Sequence, residues 1–182
     1  ESVKIIQSKG IEVSAGFIVG FDSDTGDIFE RQIDFIQKSG VPMAMVGLLT
    51  ALPGTQLYRR LNAEGRLKES VAGSGNNTHD LIMNFHPIMP EPILVEGYVK
   101  ILKTVYSPKN YFKRSMEYIK RLPKNSGMKL RFLSYSEIHA LVLSLIKQGL
   151  SSYGFRYFKF LAETLIHNPG YIADSISISV KG

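Results

Sequence analysis

The chain has 182 residues, 44% of them hydrophobic, which is enough for a buried core in one or two domains. It contains no cysteine, and this excludes disulfides, zinc ribbons, cysteine nucleophiles and any iron–sulfur cluster held on its own thiolates. The net charge of +6 is unevenly placed: residues 1–70 hold 8 basic against 9 acidic side chains, whereas residues 71–182 hold 14 against 7.

In chain order, Val3, Ile5 and Ile6 open a short helix that Gly10 ends, since glycine tolerates a left-handed cap. Ile11 to Phe21 reads as a strand buried on both faces, as parallel strands are. Asp24 is placed to cap a helix running to Ser39, with Phe29, Ile33 and Ile36 on its core face, joined by Ile28 and Phe35. Gly40 terminates that helix, and Met43 to Leu52 is the next strand. Pro53-Gly54 then turns the chain into a helix from about Gln56 to Glu64. Such a strand–helix–strand unit crosses over right-handed, with parallel strands. Residues 70–92 read as a linker, with Gly73-Ser74-Gly75-Asn76-Asn77 flexible and Pro87, Pro90 and Pro92 against any regular element. Beyond them the spacing predicts helices over Ile93–Tyr106, Lys109–Leu122, Ser134–Gln148, Tyr153–His167 and, more weakly, Tyr171–Val180. Ser134 and Glu137 form a capping box. The expected fold class is therefore α/β with parallel strands, followed by a mostly α-helical domain.

Two segments carry a resemblance. The first is Gly16-Phe17-Ile18-Val19-Gly20-Phe21-Asp22-Ser23-Asp24-Thr25; the second is Leu52-Pro53-Gly54-Thr55-Gln56-Leu57-Tyr58, with Glu64-Gly65-Arg66-Leu67 behind it. Together they resemble the last two strands of a radical S-adenosylmethionine (SAM) barrel, in the subgroup that carries an N-terminal cobalamin-binding domain. That family writes the segments as G-x-I-x-G-[FL]-P-G-E-T, P-G-T-P-L-Y and E-G-R-L. This chain departs at Asp22-Ser23-Asp24 and at Gln56. From about Asp80 the chain resembles the helical C-terminal domain of some of these proteins.

The resemblance implies the tail of a partial TIM-like barrel over residues 1–69, a linker over 70–92 and a helical domain over 93–182. It also implies a parent enzyme that uses SAM, a [4Fe-4S] cluster and cobalamin, cleaves SAM reductively and acts as a methyltransferase. The family's Gly-x-Ile strand lies along the adenine of SAM. Gly16, Ile18 and Gly20 would line it, with Ile18 on the purine face, and Leu52 and Pro53 would border it. No residue of the chain is assigned a catalytic or metal-binding role. Lacking the cluster cysteines, the chain is expected to be the inactive C-terminal portion of a longer enzyme. Its expected partners are the missing N-terminal part of that enzyme and, through the exposed barrel edge, a second copy of itself. For the glycines, plain strand packing stands as the alternative.

Other candidates read more simply. Asp22 and Asp24 suit an Asx turn and a helix cap better than an acid–base pair. His79, Asp80 and His86 match no metal-ligand spacing and read as loop residues, while His139 and His167 fall in helical patterns. Tyr153, Phe155, Tyr157, Phe158 and Phe160 have the spacing of core aromatics; with Arg156 and Lys159 among them, stacking on bases or a lipid interface is the alternative. Ten basic residues lie between Lys100 and Arg131, opposed only by Glu117. Lys100, Lys103, Lys109, Lys113, Arg114, Lys120, Arg121 and Lys124 are expected to be exposed, with Tyr111, Phe112, Ser115, Tyr118, Ile119 and Leu122 on the packing side. This surface suits an anionic membrane, with nucleic acid ranked below it and a merely solvated face as the plain reading. The longest nearly apolar run, Ile138 to Ile146, is far short of the roughly 18 residues of a membrane span. The expected location is cytoplasmic, with association at a membrane surface.

Overall fold

A computed structural model describes residues 1–68, 81, 83–124, 142–143 and 145–181. Its elements follow the expected order: α1 (Ser2–Ser8), β1 (Ser14–Val19), α2 (Ile28–Ser39), β2 (Met43–Leu48), α3 (Gln56–Ala63), α4 (Glu91–Val105) and α5 (Pro108–Arg121). After these come α6 (Gly154–His167), a 3₁₀ turn at Pro169–Tyr171 and α7 (Ile172–Lys181). Residues 142–143 and 145–149 are helical as well. The glycine-rich tract at 73–77 and the capping box at Ser134 and Glu137 lie outside the described residues. The chain divides into two compact units, one of Ala15–Phe35 and Ala44–Thr104, the other of Glu1–Ser14, Ile36–Met43 and Val105–Gly182.

The first unit carries the parallel pair β1–β2. Burial alternates along both strands. Val19, Ala44, Val46 and Leu48 are buried, whereas Ser14, Gly16, Ile18 and Met45 are exposed. The sheet is thus covered on one face only, which corrects the expectation of a strand buried on both. The cover comes from α2 and α4, whose Phe29, Leu94, Tyr98 and Ile101 are buried. Gly97 makes the helix contact possible, because a Cβ there would overlap the Phe29 ring. Phe35, expected on the core face of α2, is exposed and meets Phe17 edge-on at 6.0 Å between ring centroids. α4 begins at Glu91, two residues before the expected Ile93. Pro92 fits in its first turn, where a backbone N–H has no helical partner to lose. Residues 66–68 pair with 84–86 through Lys68 N to Asn84 O at 3.0 Å and His86 N to Arg66 O at 2.8 Å.

The helical unit is built on α5. Tyr111, Phe112, Ser115, Tyr118, Ile119 and Leu122 are all buried, as their spacing predicts, and they pack with Tyr157, Phe160 and Leu161 of α6 and Ile178 of α7. Arg114 is the correction: expected in solvent, it is 1% exposed. Its place on the wheel, three residues after Tyr111 and four before Tyr118, sets it on the packing face. Its guanidinium donates to Val41 O at 2.7 Å, Pro42 O at 3.1 Å, Val105 O at 2.9 Å and Gln37 Oε1 at 2.8 Å. Burial holds its pKa below that of a solvated arginine. Arg121, also expected in solvent, is half-buried and donates to Gln7 Oε1 at 2.9 Å and to the carbonyls of Ser39 and Lys38. Lys100, Lys103, Lys109, Lys113, Lys120 and Lys124 are exposed, as expected.

Candidate functional site at the carboxyl ends of the strands

Gly16 and Ile18 stand on the open face of β1, with Ile18 47% exposed. A Cβ added at Gly16 would meet nothing within 4 Å, so neither packing nor strain requires glycine there. From α2, the Gln32 side-chain amide donates to Ile18 O at 2.9 Å and fixes the strand at this residue. Gly20 differs. Its φ is +111°, and a Cβ would lie 3.2 Å from Leu94 Cδ2 and 3.4 Å from Leu49 Cβ. Turn geometry and packing account for Gly20; open space remains only at Gly16.

The turn after β1 is held by carboxylates. Asp24 Oδ2 accepts from Gly20 N at 2.8 Å and Phe21 N at 3.0 Å. That ends β1 at Val19, short of Phe21, and leaves α2 to start at Ile28, so Asp24 ties the turn and does not cap the helix. Asp22 makes no Asx turn either. Arg66 donates to both of its oxygens, at 3.0 and 2.7 Å, and Arg60 lies 2.8 Å away. Arg66 also reaches Glu64 at 2.9 Å and donates from Nε to His86 O at 2.8 Å. The Arg66 hydrogen bonds are the main cause holding the Asp22 carboxyl below its ordinary 3.8, and Arg60 adds to them. An ionised carboxylate occupied by two guanidinium groups has no proton to give near neutrality. The carboxylates here shape a turn; they are not an acid–base pair.

At the end of β2, Leu49 N donates to Val19 O at 2.9 Å, beyond the last strand residue. Asn84 then clamps the next turn, accepting from Ala51 N at 2.9 Å and donating to Ala51 O at 2.8 Å. Leu52 and Pro53, which follow, are exposed. The carbonyl of Leu52 points into the turn, accepting from Thr55 N at 3.2 Å and Thr55 Oγ1 at 2.7 Å. Gly54 has φ +84°, and Thr55 caps α3 by accepting from Tyr58 N at 3.2 Å. Gly16, Ile18, Gly20, Leu52 and Pro53 therefore lie at or just beyond the two paired strands, on backbone pinned by Gln32, Asp24 and Asn84. Sequence reading missed those three positioning roles. Asn84 had a signal, as a lone amide in the apolar run Leu81 to Phe85.

The remaining candidates separate. His86 is exposed, 3.8 Å from Glu91, while His79, Asp80 and His139 lie outside the described residues. His167 is exposed at the end of α6. The aromatic set divides: Tyr157 and Phe160 are buried, whereas Phe155 and Phe158 face solvent. Among the described residues no three His, Cys, Asp or Glu side chains cluster to hold a metal ion, and no helix is long and apolar enough to cross a membrane.

Comparison with known proteins gives the family. The chain is 31% identical over 182 residues to an uncharacterised methyltransferase of Synechocystis sp., covering 98% of this chain and 33% of that protein. It is 35% identical over 114 residues to the hopanoid C-2 methylase of Rhodopseudomonas palustris, 63% of this chain and 20% of the relative. To the bacteriochlorophyllide d C-8(2)-methyltransferase of Chlorobaculum tepidum it is 22% identical over 109 residues, 55% and 24% of the two chains. The chain thus spans a third or less of the length of these relatives. No solved structure matches it. The model of the family described as Domain of unknown function (DUF4070) matches residues 55–182, more than half of the chain. The chain belongs to that family, which forms the C-terminal portion of radical SAM enzymes of the cobalamin-binding subgroup.

Proposed function

We propose that these residues are the C-terminal part of a cobalamin-dependent radical SAM methyltransferase, with β1 and β2 as the last strands of a partial barrel. The observation that carries this reading is the one-sided burial of the sheet. In α/β barrels helices cover the outer face, and the other face looks into the barrel. Here α2 and α4 cover the face of Val19, Val46 and Leu48, while Gly16, Ile18 and Met45 stand on the open one. A two-stranded sheet is marginal by itself, so further strands of a barrel are the natural cover. The names of all three relatives, two methyltransferases and one methylase, support methyl transfer.

The open face suits the adenine of SAM. Ile18 offers an apolar surface to a flat purine, and Gly16 leaves room for close approach to the backbone. Leu52 and Pro53 would border the ring. The cluster does not fit this chain, which has no thiolate to give it, and its ligands would come from residues outside these 182. When bound, the cluster, SAM and cobalamin supply reductive SAM cleavage and methyl carriage. The tasks of this chain are to pack against adenine, to hold the strand ends rigid and to exclude water from one wall.

Anaerobic reconstitution with iron and sulfide tests the reading. The full-length protein should bind a cluster and cleave SAM reductively, whereas the 182-residue chain alone should bind neither cluster nor SAM. Ile18→Glu in the full-length protein should weaken SAM binding about tenfold, the loss of about 1.4 kcal/mol of apolar contact. A full-length protein without a cluster, or Ile18→Glu with unchanged SAM affinity, overturns it.

A further inference from the structure

We propose that the α5–α6 face of the helical unit docks on an anionic phospholipid surface, with basic side chains taking headgroup phosphates and an apolar stripe of α6 entering the acyl boundary. Between the two helices lies a groove of about 370 Å³. Its rim carries Lys109, Lys113, Lys120, Arg156 and Lys159, and its floor includes Phe112 and Phe160. Two of the cations are answered by acids: Lys120 lies 3.5 Å from Glu117 and Lys159 3.8 Å from Glu163. Lys109, Lys113 and Arg156 have no acidic partner among the described residues, so the rim keeps a positive excess.

Beside the rim, α6 exposes apolar side chains that a folded core would bury. Phe155 is 83% exposed and Ile166 76%, with Phe158 and Leu165 also in solvent. At helical spacing these four fall within an arc of roughly 100°, with Lys159 and Arg156 along one side of it. An apolar stripe edged by cations is the pattern of a helix lying in a membrane interface. The charge selects among occupants. A second copy of the chain would bring like-charged rims together, which is unfavourable. A nucleic acid would use aromatic platforms, but half of this stripe is aliphatic. No described helix is long and apolar enough to span a membrane, so the contact is a surface one.

The chain has no tryptophan, so Phe155→Trp places a single fluorophore at an exposed position of the stripe. With vesicles containing phosphatidylglycerol, its emission should shift to the blue at low salt. The shift should be weak at high salt and weak with phosphatidylcholine alone. Co-sedimentation of Lys109→Gln/Lys113→Gln should fall about twenty-fivefold, at about fivefold for each basic group near an anionic surface. Phe155→Ser/Ile166→Ser should reduce binding while leaving the far-ultraviolet circular dichroism spectrum unchanged. The proposal is overturned by equal binding to neutral vesicles, or by no binding at low salt. It is equally overturned if an oligonucleotide gives the same blue shift, or if Phe155→Ser converts a dimer to a monomer in sedimentation velocity without lipid.

Discussion

Replacing Arg114 with methionine should destabilise the helical unit more than any change to the exposed lysines beside it. Methionine keeps an apolar stem of similar reach and removes every donor. Four acceptors then lose their guanidinium: the carbonyls of Val41, Pro42 and Val105 and the side chain of Gln37. Val105 ends α4, where helix carbonyls have no partner of their own. Each buried acceptor left unpaired costs about 1–3 kcal/mol. Against this, the variant no longer holds a desolvated cation, a relief of several kcal/mol, though it also loses the stacking of Arg114 over Tyr106 and Tyr111 at 5.8 and 5.4 Å. The net is a loss of about 2–4 kcal/mol. For a chain of this size that lowers Tm by about 5–15 °C, read by circular dichroism. Arg114→Lys keeps the charge but lacks the planar fork and should recover less than half of the loss. A methionine variant melting within about 2 °C of the parent would refute the argument, and full rescue by lysine would show that charge, not donor geometry, matters.

Three further outcomes follow from the same geometry. Asp22→Asn should cost about 1–2 kcal/mol at neutral pH. Because the folded pKa of Asp22 lies below its ordinary 3.8, its contribution is present above that value and is lost as pH falls through the folded pKa, so urea midpoints of variant and parent should converge as pH is lowered below 3.8. Gly20→Ala should destabilise by about 1–3 kcal/mol through its positive φ, whereas Gly16→Ala, with open space around it, should stay within about 0.5 kcal/mol in the same titration. Tyr111→Phe orphans Ile178 O, now paired at 2.7 Å, at a cost of about 1 kcal/mol. Burial pushes the Tyr111 hydroxyl from 10.0 to about 12, so the stability it confers fades as pH rises between those values. The stability difference between parent and variant should shrink across that window, and a constant difference would refute the assignment.

Local signals were legible in the sequence, and non-local ones were not. The packing face of α5 could be read residue by residue because 3.6-residue periodicity needs no knowledge of what lies opposite. Gly10, Gly40 and Gly54 marked turns correctly, each with positive φ. Arg114 failed for an identifiable reason: its residue type argued for solvent, while its position argued for the core. Position prevailed because backbone acceptors from Val41 and Pro42, more than 70 residues away in sequence, meet it there. The aromatic run at 153–160 was bound to divide, since successive helix positions are turned by about 100° and a run of eight goes more than twice around the axis. At the candidate site, the motif singled out Gly16 and Ile18, which stand on the open face of β1, and Leu52 and Pro53, which follow β2. It did not distinguish Gly16 from Gly20, because the positive φ of Gly20 arises from a turn closed by Asp24.

The place where this sequence departs from its family pattern is also where the site is tied together. Asp22 stands where the pattern has proline, a residue that stiffens a turn through its own ring. Aspartate has no such stiffness, yet Arg60, within α3, and Arg66, just after it, hold its carboxylate. Arg66 belongs to the Glu-Gly-Arg-Leu segment, and its own position is set by Glu64 and the His86 carbonyl. Two segments recognised separately in the sequence are therefore one ionic network in the sheet-bearing unit. Covalent rigidity at the turn has been replaced by a tether 44 residues away. That replacement adds to the turn a dependence on the ionisation of Asp22, beside the hydrogen bonds of Asp24, which a proline would not bring, and it is why the acid limb of Asp22→Asn reports on the strand ends and on more than a surface ion pair.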